Sequence, residues 1–334
     1  MSLQRLTPPG ALTWWLAAAL VAAALLSIGI GTRDTGWATL LGLTDGSVDS
    51  MAEAAVASRL PRTLLANLAG ASLAVAGAGM QGLTRNPLAD PGLLGVNAGA
   101  SLAVVIGIAW FAMQHVAEYL WVAVLGAAIS ALVVYLIASL SRGGPTPLRL
   151  ALSGAVMSAA LASLTSAIIL PRSDIAGLLH SWLIGGVGGA TLDRILPVLP
   201  LMVLGMILTL SSARRLNLMA LGDDTATGLG ERVAQARWLA ASGAILLCGA
   251  TTAACGPIGF VGLVVPHALR MMTGSDYRRL LPLSALGGAL LVTLADTLGR
   301  MLVSPAELDV GIVTALVGGP VFIAIVRRHQ LRSL

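Results

Sequence analysis

Apolar runs of about twenty residues, separated by short polar breaks, recur along the whole chain: 11–32, 62–82, 93–112, 118–140, 148–170, 194–213, 237–256, 258–272, 281–303 and 309–326. A helix that crosses a bilayer needs about 20 mostly apolar residues, and most of these runs reach that length. The exception is "IGFVGLVVPHALRMM" (258–272), short and interrupted by Pro266. It predicts a tilted or broken helix whose freed backbone groups are satisfied by surrounding protein. The first run is longer than a signal-peptide core and lacks a small-residue cleavage site, so it reads as a retained helix. The pattern therefore predicts an all-α polytopic membrane protein with about ten spans, forming one transmembrane domain over 1–334.

Charge orients this bundle. Ten spans put both termini on one side. With the N-terminus inside, the inner segments carry fourteen arginines and the outer ones six, whereas nine acidic residues fall outside and five inside. The positive-inside rule places both termini in the cytoplasm. Arg59 and Arg62, in "SRLPRTLLANLAG", and Arg300 then lie outside, against the prevailing bias.

Composition agrees with a lipid-facing chain. Only 10% of residues are charged and 57% are hydrophobic, against about 25% charged in a soluble domain; the mean hydropathy is +0.88. The 39 glycines suit close helix packing. A pI near 10.2 does not point to nucleic acid, because the basic residues are spread between apolar runs.

All twenty basic residues are arginine. Without lysine there is no P-loop to hold nucleotide phosphates and no Schiff-base chemistry, so the chain is not expected to hydrolyse ATP or to be an enzyme. The four histidines are scattered and the two cysteines, Cys248 and Cys255, are seven residues apart. On one helix that is about 10 Å, beyond the roughly 7 Å reach of a disulfide. They read as packing residues. No metal, cofactor or catalytic constellation emerges.

Two breaks and the polar residues within the runs hold candidate chemistry. In "RRLNLMALGDDTATGLGERVAQAR" (214–237), Gly222 followed by Asp223 and Asp224 reads as a helix start, and Gly228 and Gly230 as its end; "ERVAQAR" starts another helix. Composition alone leaves this protrusion between a loop on the headgroups, slightly favoured, and a docking surface for a cytoplasmic partner. "TRNPLADPGLLGVNAGAS" (84–101) is either a rigid turn or a re-entrant element near a pathway. Asp296 and Arg300 share a helix face. A helix-internal ion pair is the preferred reading, over a proton-relay carboxylate. Asn67, Gln81 and Asn97 either line a path or bond between helices.

"RLPRTL", "GAGMQGLTRNPLADPGLLGVNAGAS", "LALSGAV", "LMALGDDTATGLG", "GPIGFVGLVVPHALR", "LADTLGR" and "AELDVGIVTALVGGPVFIAIVRR" resemble, in order, the signatures of the FecCD-type permeases, membrane subunits of bacterial ABC importers for iron–siderophore complexes, haem and vitamin B12. The resemblance runs from about residue 59 to the C-terminus and is strongest to the ferric-enterobactin branch. It implies a type II ABC importer permease fold in the bacterial inner membrane, carrying an iron–siderophore complex, with haem or vitamin B12 as the alternative. It also implies a second permease subunit (a sister chain favoured over an identical one), two ATP-binding cassette subunits that hydrolyse the ATP, and a binding protein outside.

The resemblance turns the inner protrusion into a coupling element, carried here by Leu221, Gly222, Asp223, Asp224, Thr225, Ala226, Leu229 and Gly230 in a loop at about 214–236. It assigns Arg59, Arg62 and Arg300 to docking acidic residues of the binding protein. Asp309, where the family usually has Pro, and Gly319, where Ala is common, are the departures. A proton-coupled secondary transporter is the competing class; it predicts paired intramembrane carboxylates and no inner protrusion, the reverse of this sequence.

Overall fold

The helix that carries Arg59 and Arg62 does not begin at Arg62 but runs from Met51 to Thr84 with Pro61 inside it. The computed structural model describes residues 9–30, 51–87, 89–140, 147–303 and 306–330. Among these the elements in chain order are α1 (Pro9–Gly29), α2 (Met51–Thr84), a 3-10 turn (Pro91–Leu94), α3 (Val96–Phe111), α4 (Val116–Ser139), α5 (Pro147–Ile169), α6 (Ser173–Ile184) and α7 (Leu192–Ile195). They continue with α8 (Leu199–Ser211), α9 (Ala213–Met219), α10 (Asp223–Gly228), α11 (Val233–Cys255), α12 (Val261–Thr273), α13 (Tyr277–Leu302) and α14 (Val310–Gln330).

Each of the ten predicted runs contains a helix. Six helices are long and apolar enough to cross a membrane, and α8 with α9 makes a seventh bent by 45°. Of the remaining three, α3 and α14 are shorter apolar helices. The third, α12, is a 13-residue helix around Pro266, as "IGFVGLVVPHALRMM" requires. The predicted run 194–213 is interrupted between α7 and α8, where Pro197 and Pro200 lack amide donors. Sequence periodicity passed over α6, because "SDIAGLLHSWLI" is 12 residues long, well short of a span.

α2 is the axis of the bundle. It packs on α13, α11, α12 and α1, and 78% of its apolar window is buried, against 17% in α1 and in α5. The outer helices expose apolar side chains such as Trp14, Trp15, Leu148 and Leu152. Glycines set the closest approaches. A Cβ on Gly77 or on Gly70 would fall well inside 3.0 Å of the backbone of Gly262 or of Gly288, and Gly99 and Gly126 oppose each other likewise. Backbones approach this closely only where both residues lack side chains, which accounts for the glycine content. Cys248 and Cys255 are buried and free on α11, as packing residues.

Two ends follow from these contacts. One gathers the end of α1, the first turns of α2, the end of α13 and the start of α14. The other gathers the end of α2 with α9, α10 and the start of α13.

Candidate functional site

At the first end, the last carbonyls of α1 lack helical donors, as at any helix C-terminus. Two guanidiniums supply them. Arg59 Nη1 donates to the carbonyls of Ile28 and Gly29 at 3.1 and 3.2 Å. Arg300 Nη1 donates to those of Ser27 and Ile30 at 3.1 and 2.9 Å, and its Nη2 donates to Ser27 Oγ at 2.8 Å. Positive charge at this pole also suits the helix dipole. Ser27 Oγ and Thr63 Oγ1, 2.8 Å apart, close the junction of α1 with α2.

The anion that permits this accumulation is Asp296. Its carboxylate accepts from Arg62 Nε at 2.9 Å and Arg62 Nη2 at 2.8 Å, and pairs with Arg300 Nη2 at 3.1 Å. The side chain of Asp296 is 0% exposed, that of Arg300 2% and that of Arg62 13%. The helix-internal pair expected from the spacing is present, with Arg62 as a second cation. Arg62 Nη1 reaches outward to Glu307 Oε2 at 2.6 Å, and that glutamate is 38% exposed. The structure thus brings Arg59, Arg62 and Arg300 into one cluster and binds all three to groups of this chain. Glu307, in the quoted "AELDV", went unremarked in the sequence because nothing local marks it as a partner of Arg62.

The departure at Asp309 fits its surroundings. Its carbonyl accepts from Ile312 N at 3.0 Å, so it stands where α14 begins, a position that suits Asp. A Cβ on Gly186 would lie 2.6 Å from Asp309 Oδ1, so this carboxyl rests on a glycine backbone. At Gly319 a Cβ would meet nothing within 4 Å, and alanine fits there equally well.

At the opposite end, α10 spans Asp223–Gly228, the bounds its glycines indicate. Gly222 takes φ +109°, a conformation that suits glycine alone. Ala226 is buried, whereas Leu221 and Leu229 on either side are each 60% exposed. Asp223 does not cap the helix. Its carboxylate pairs with Arg85, the residue after α2, and with Arg237 on α11 at 2.7 Å. Asn217 joins α9 to α13. Its Nδ2 donates to Asp276 Oδ1 at 2.6 Å, and its Oδ1 accepts from Tyr277 N at 2.9 Å. The Asn217 bond and the Arg278 amide hold the Asp276 carboxyl below the usual carboxylate range.

Between the ends the segment after Arg85 turns back into the bundle and continues into α3. Asp90 Oδ1 accepts from Gly92 N at 2.7 Å and caps the 3-10 turn. Ser158 Oγ on α5 donates to the carbonyl of Gly92 at 3.2 Å, and Ser130 Oγ on α4 to that of Gly95 at 2.9 Å. Ser130 lies about 14 Å along α4 from its Ser139 end, at 1.5 Å per residue, so the segment climbs well into the bundle. Asn67 accepts from Thr293 on α13 at 2.9 Å, and Gln81 accepts from Arg270 on α12 at 2.9 Å. Both make bonds between helices. Asn97 Oδ1 is buried without a hydrogen-bond partner. Among the described residues no group of His, Cys, Asp and Glu is placed to hold a metal ion.

The described residues form a multi-pass helical bundle with a short helix flanked by exposed leucines at one end and an arginine cluster at the other. Residues 19–328 match the FecCD transport family, and the chain belongs to it. It is 43% identical to the ferric enterobactin transport system permease protein FepD of Escherichia coli, over 92% of each chain. It is 41% identical to the Fe(3+) dicitrate transport system permease protein FecD of the same organism, over 96% of this chain and 99% of that one. To the hemin transport system permease protein HmuU of Yersinia pestis it is 42% identical, over 94% of this chain and 95% of that one. The fold matches an inward-facing metal-chelate type ABC transporter with a TM-score of 0.81 and 30% identity, over 96% of this chain and 99% of that one.

Proposed function

We propose that this chain is the membrane-spanning subunit of an ABC importer that passes an iron–siderophore complex from an external binding protein to the cytoplasm. ATP is hydrolysed on separate cassette subunits, and a sister permease completes the pathway. The observation that carries this reading is α10: a protruding helix, flanked by exposed Leu221 and Leu229, that offers an ATPase subunit an apolar surface. Charge asymmetry supports an orientation with α10 and both termini in the cytoplasm and the arginine cluster outside an inner membrane. Ferric-chelate relatives favour a siderophore cargo; the haem alternative rests on the hemin permease.

Uptake of ferric enterobactin by the assembled transporter should stop when the ATPase is inhibited and persist when an uncoupler collapses the proton gradient. Gly222→Trp, which no residue with a Cβ accommodates at φ +109°, should insert and assemble yet hydrolyse ATP without uptake. Uptake that follows the proton gradient, or normal uptake by Gly222→Trp, counts against the reading.

Docking at the arginine cluster has to reckon with its internal bonds. Arg59 and Arg300 are held by α1, so reversing their charges tests folding as much as docking. Arg62 is different, because the partner of its outer nitrogen is the half-exposed Glu307. An acidic residue of the binding protein competes there with a carboxylate of the permease itself. Glu307→Gln should therefore raise the association rate with the binding protein at low salt, since charge governs encounter more than affinity. An unchanged rate would make Arg62 a fold residue alone.

A further inference from the structure

We propose that Arg85 transmits movement: its ion pair with Asp223 ties α10 to the segment 86–95 that turns back into the bundle, so that displacement of α10 is delivered inside it. This rests on α10 being the ATPase-contacting element.

The first observation is backbone geometry. Arg85 follows the last turn of α2 at φ +52°, in the left-handed region that residues with a Cβ seldom enter. Glycine is usual at this position after a helix. A side chain retained there despite the strain points to a task for that side chain.

The second is where that side chain goes. Its Nη2 meets Asp223 Oδ1, and the other oxygen of the same carboxylate accepts from Arg237 Nη2 at 2.7 Å. The first residue of α10 is thereby fastened to the end of α2 and to α11 at once. α10 cannot turn away from α2 without breaking the Arg85 link or pulling on it.

The third is what lies beyond Arg85. The chain makes a turn in which Ala89 N donates to the carbonyl of Asn86 at 3.0 Å. It then reaches the points where α5 and α4 hold it, Ser158 to Gly92 and Ser130 to Gly95. Beside this path lies a recess lined by Met80, Asn86, Ala89, Asp90, Leu94 and Leu150. The connection from α10 to mid-depth is therefore a short, hydrogen-bonded segment with one charged handle. An exposed ion pair adds little to stability, so removing this one separates transmission from assembly.

The test uses the complete transporter with its ATPase and binding protein, carrying Leu94→Cys, at a half-buried position of the recess, as a probe of the segment. Cys248 and Cys255 are buried and do not compete for a maleimide reagent. Trapping with ATP and vanadate should change the labelling rate of Leu94→Cys by about tenfold, within the range of ordinary site-to-site coupling. Adding Arg85→Gln should reduce that change to about twofold or less, while hydrolysis stays within about twofold of the parent. Arg85→Lys, which retains a cation for Asp223, should restore much of the response, and Arg237→Gln should leave it intact. A full response in Arg85→Gln overturns the proposal, as does its equal loss in Arg237→Gln or its absence in the parent. None of these results touches the role of α10 itself, which Gly222→Trp tests separately.

Discussion

Asp296→Asn is expected to leave little correctly folded protein in the membrane. The carboxylate is 0% exposed and is shared by Arg62 and Arg300, two cations that also fasten α2 and α13 to their neighbours. Asparagine keeps the shape and removes the charge, so the buried Arg300 loses its counterion and Arg62 keeps only the outer one, Glu307. Breaking a buried pair from one side costs about 3–5 kcal/mol, a large share of the roughly 5–15 kcal/mol that holds a protein folded. The loss should reach α1, because Arg300 carries the hydrogen bonds to Ser27 and Ile30. Detergent-solubilised protein should melt at a markedly lower temperature, with the N-terminal helix cut early by protease. Glu307→Gln removes the other anion of Arg62 but from a half-exposed site, where a pair is worth about 0–1 kcal/mol. Similar melting of Asp296→Asn and Glu307→Gln would show that the cluster does not hold the fold.

The second large effect is expected at Gly77→Ala. One methyl group there would fall well inside 3.0 Å of the Gly262 carbonyl, carbonyl carbon and Cα. A flexible side chain can swing aside, but a helix backbone cannot, so α12 has to separate from α2. Overpacking a core typically costs about 1–3 kcal/mol and at times more, and a backbone obstacle belongs at the upper end. The displaced helix also carries Arg270, which donates to Gln81 at 2.9 Å and lies over the ring of Tyr277. Thermal stability should fall steeply in Gly77→Ala and stay unchanged in Gly319→Ala, where the added methyl meets nothing within 4 Å. Equal stability of the two variants would mean that the α2–α12 crossing relaxes freely.

Hydropathy located the ten helical runs because lipid contact requires continuous apolar length, and that signal is local. It placed the start of the second helix at Arg62, since Pro61 usually marks a boundary; the helix nonetheless extends back to Met51, with neighbours available to satisfy a freed carbonyl. It overlooked α6, whose 12 residues fall below the length that identifies a span. At the inner end, Gly222 through Gly230 outline α10 because glycine interrupts a helix locally, although the cap expected from the aspartates is absent. The partners of Asp223 were out of reach, since Arg85 is 138 positions away. The outer arginines show the same division. The Asp296–Arg300 pair was legible as a four-residue spacing, whereas the Arg62 bond to Asp296 spans 234 positions. For "TRNPLADPGLLGVNAGAS" the local signals allow a turn or a re-entrant path; the chain turns and continues into α3, held on the way by distant serines on α4 and α5.

α2 runs unbroken from the arginine cluster to the residue before Arg85, and its tightest crossing, at Gly77, is far from its midpoint. At 1.5 Å per residue, Arg59 lies about 27 Å from Gly77 and Arg85 about 12 Å. The crossing of Gly70 on Gly288 of α13 is nearly as close and lies about 10 Å from it along the helix, so α2 is a beam clamped at two points and not a bar on one pivot. Any displacement of either end has to be shared by α12 and α13 together.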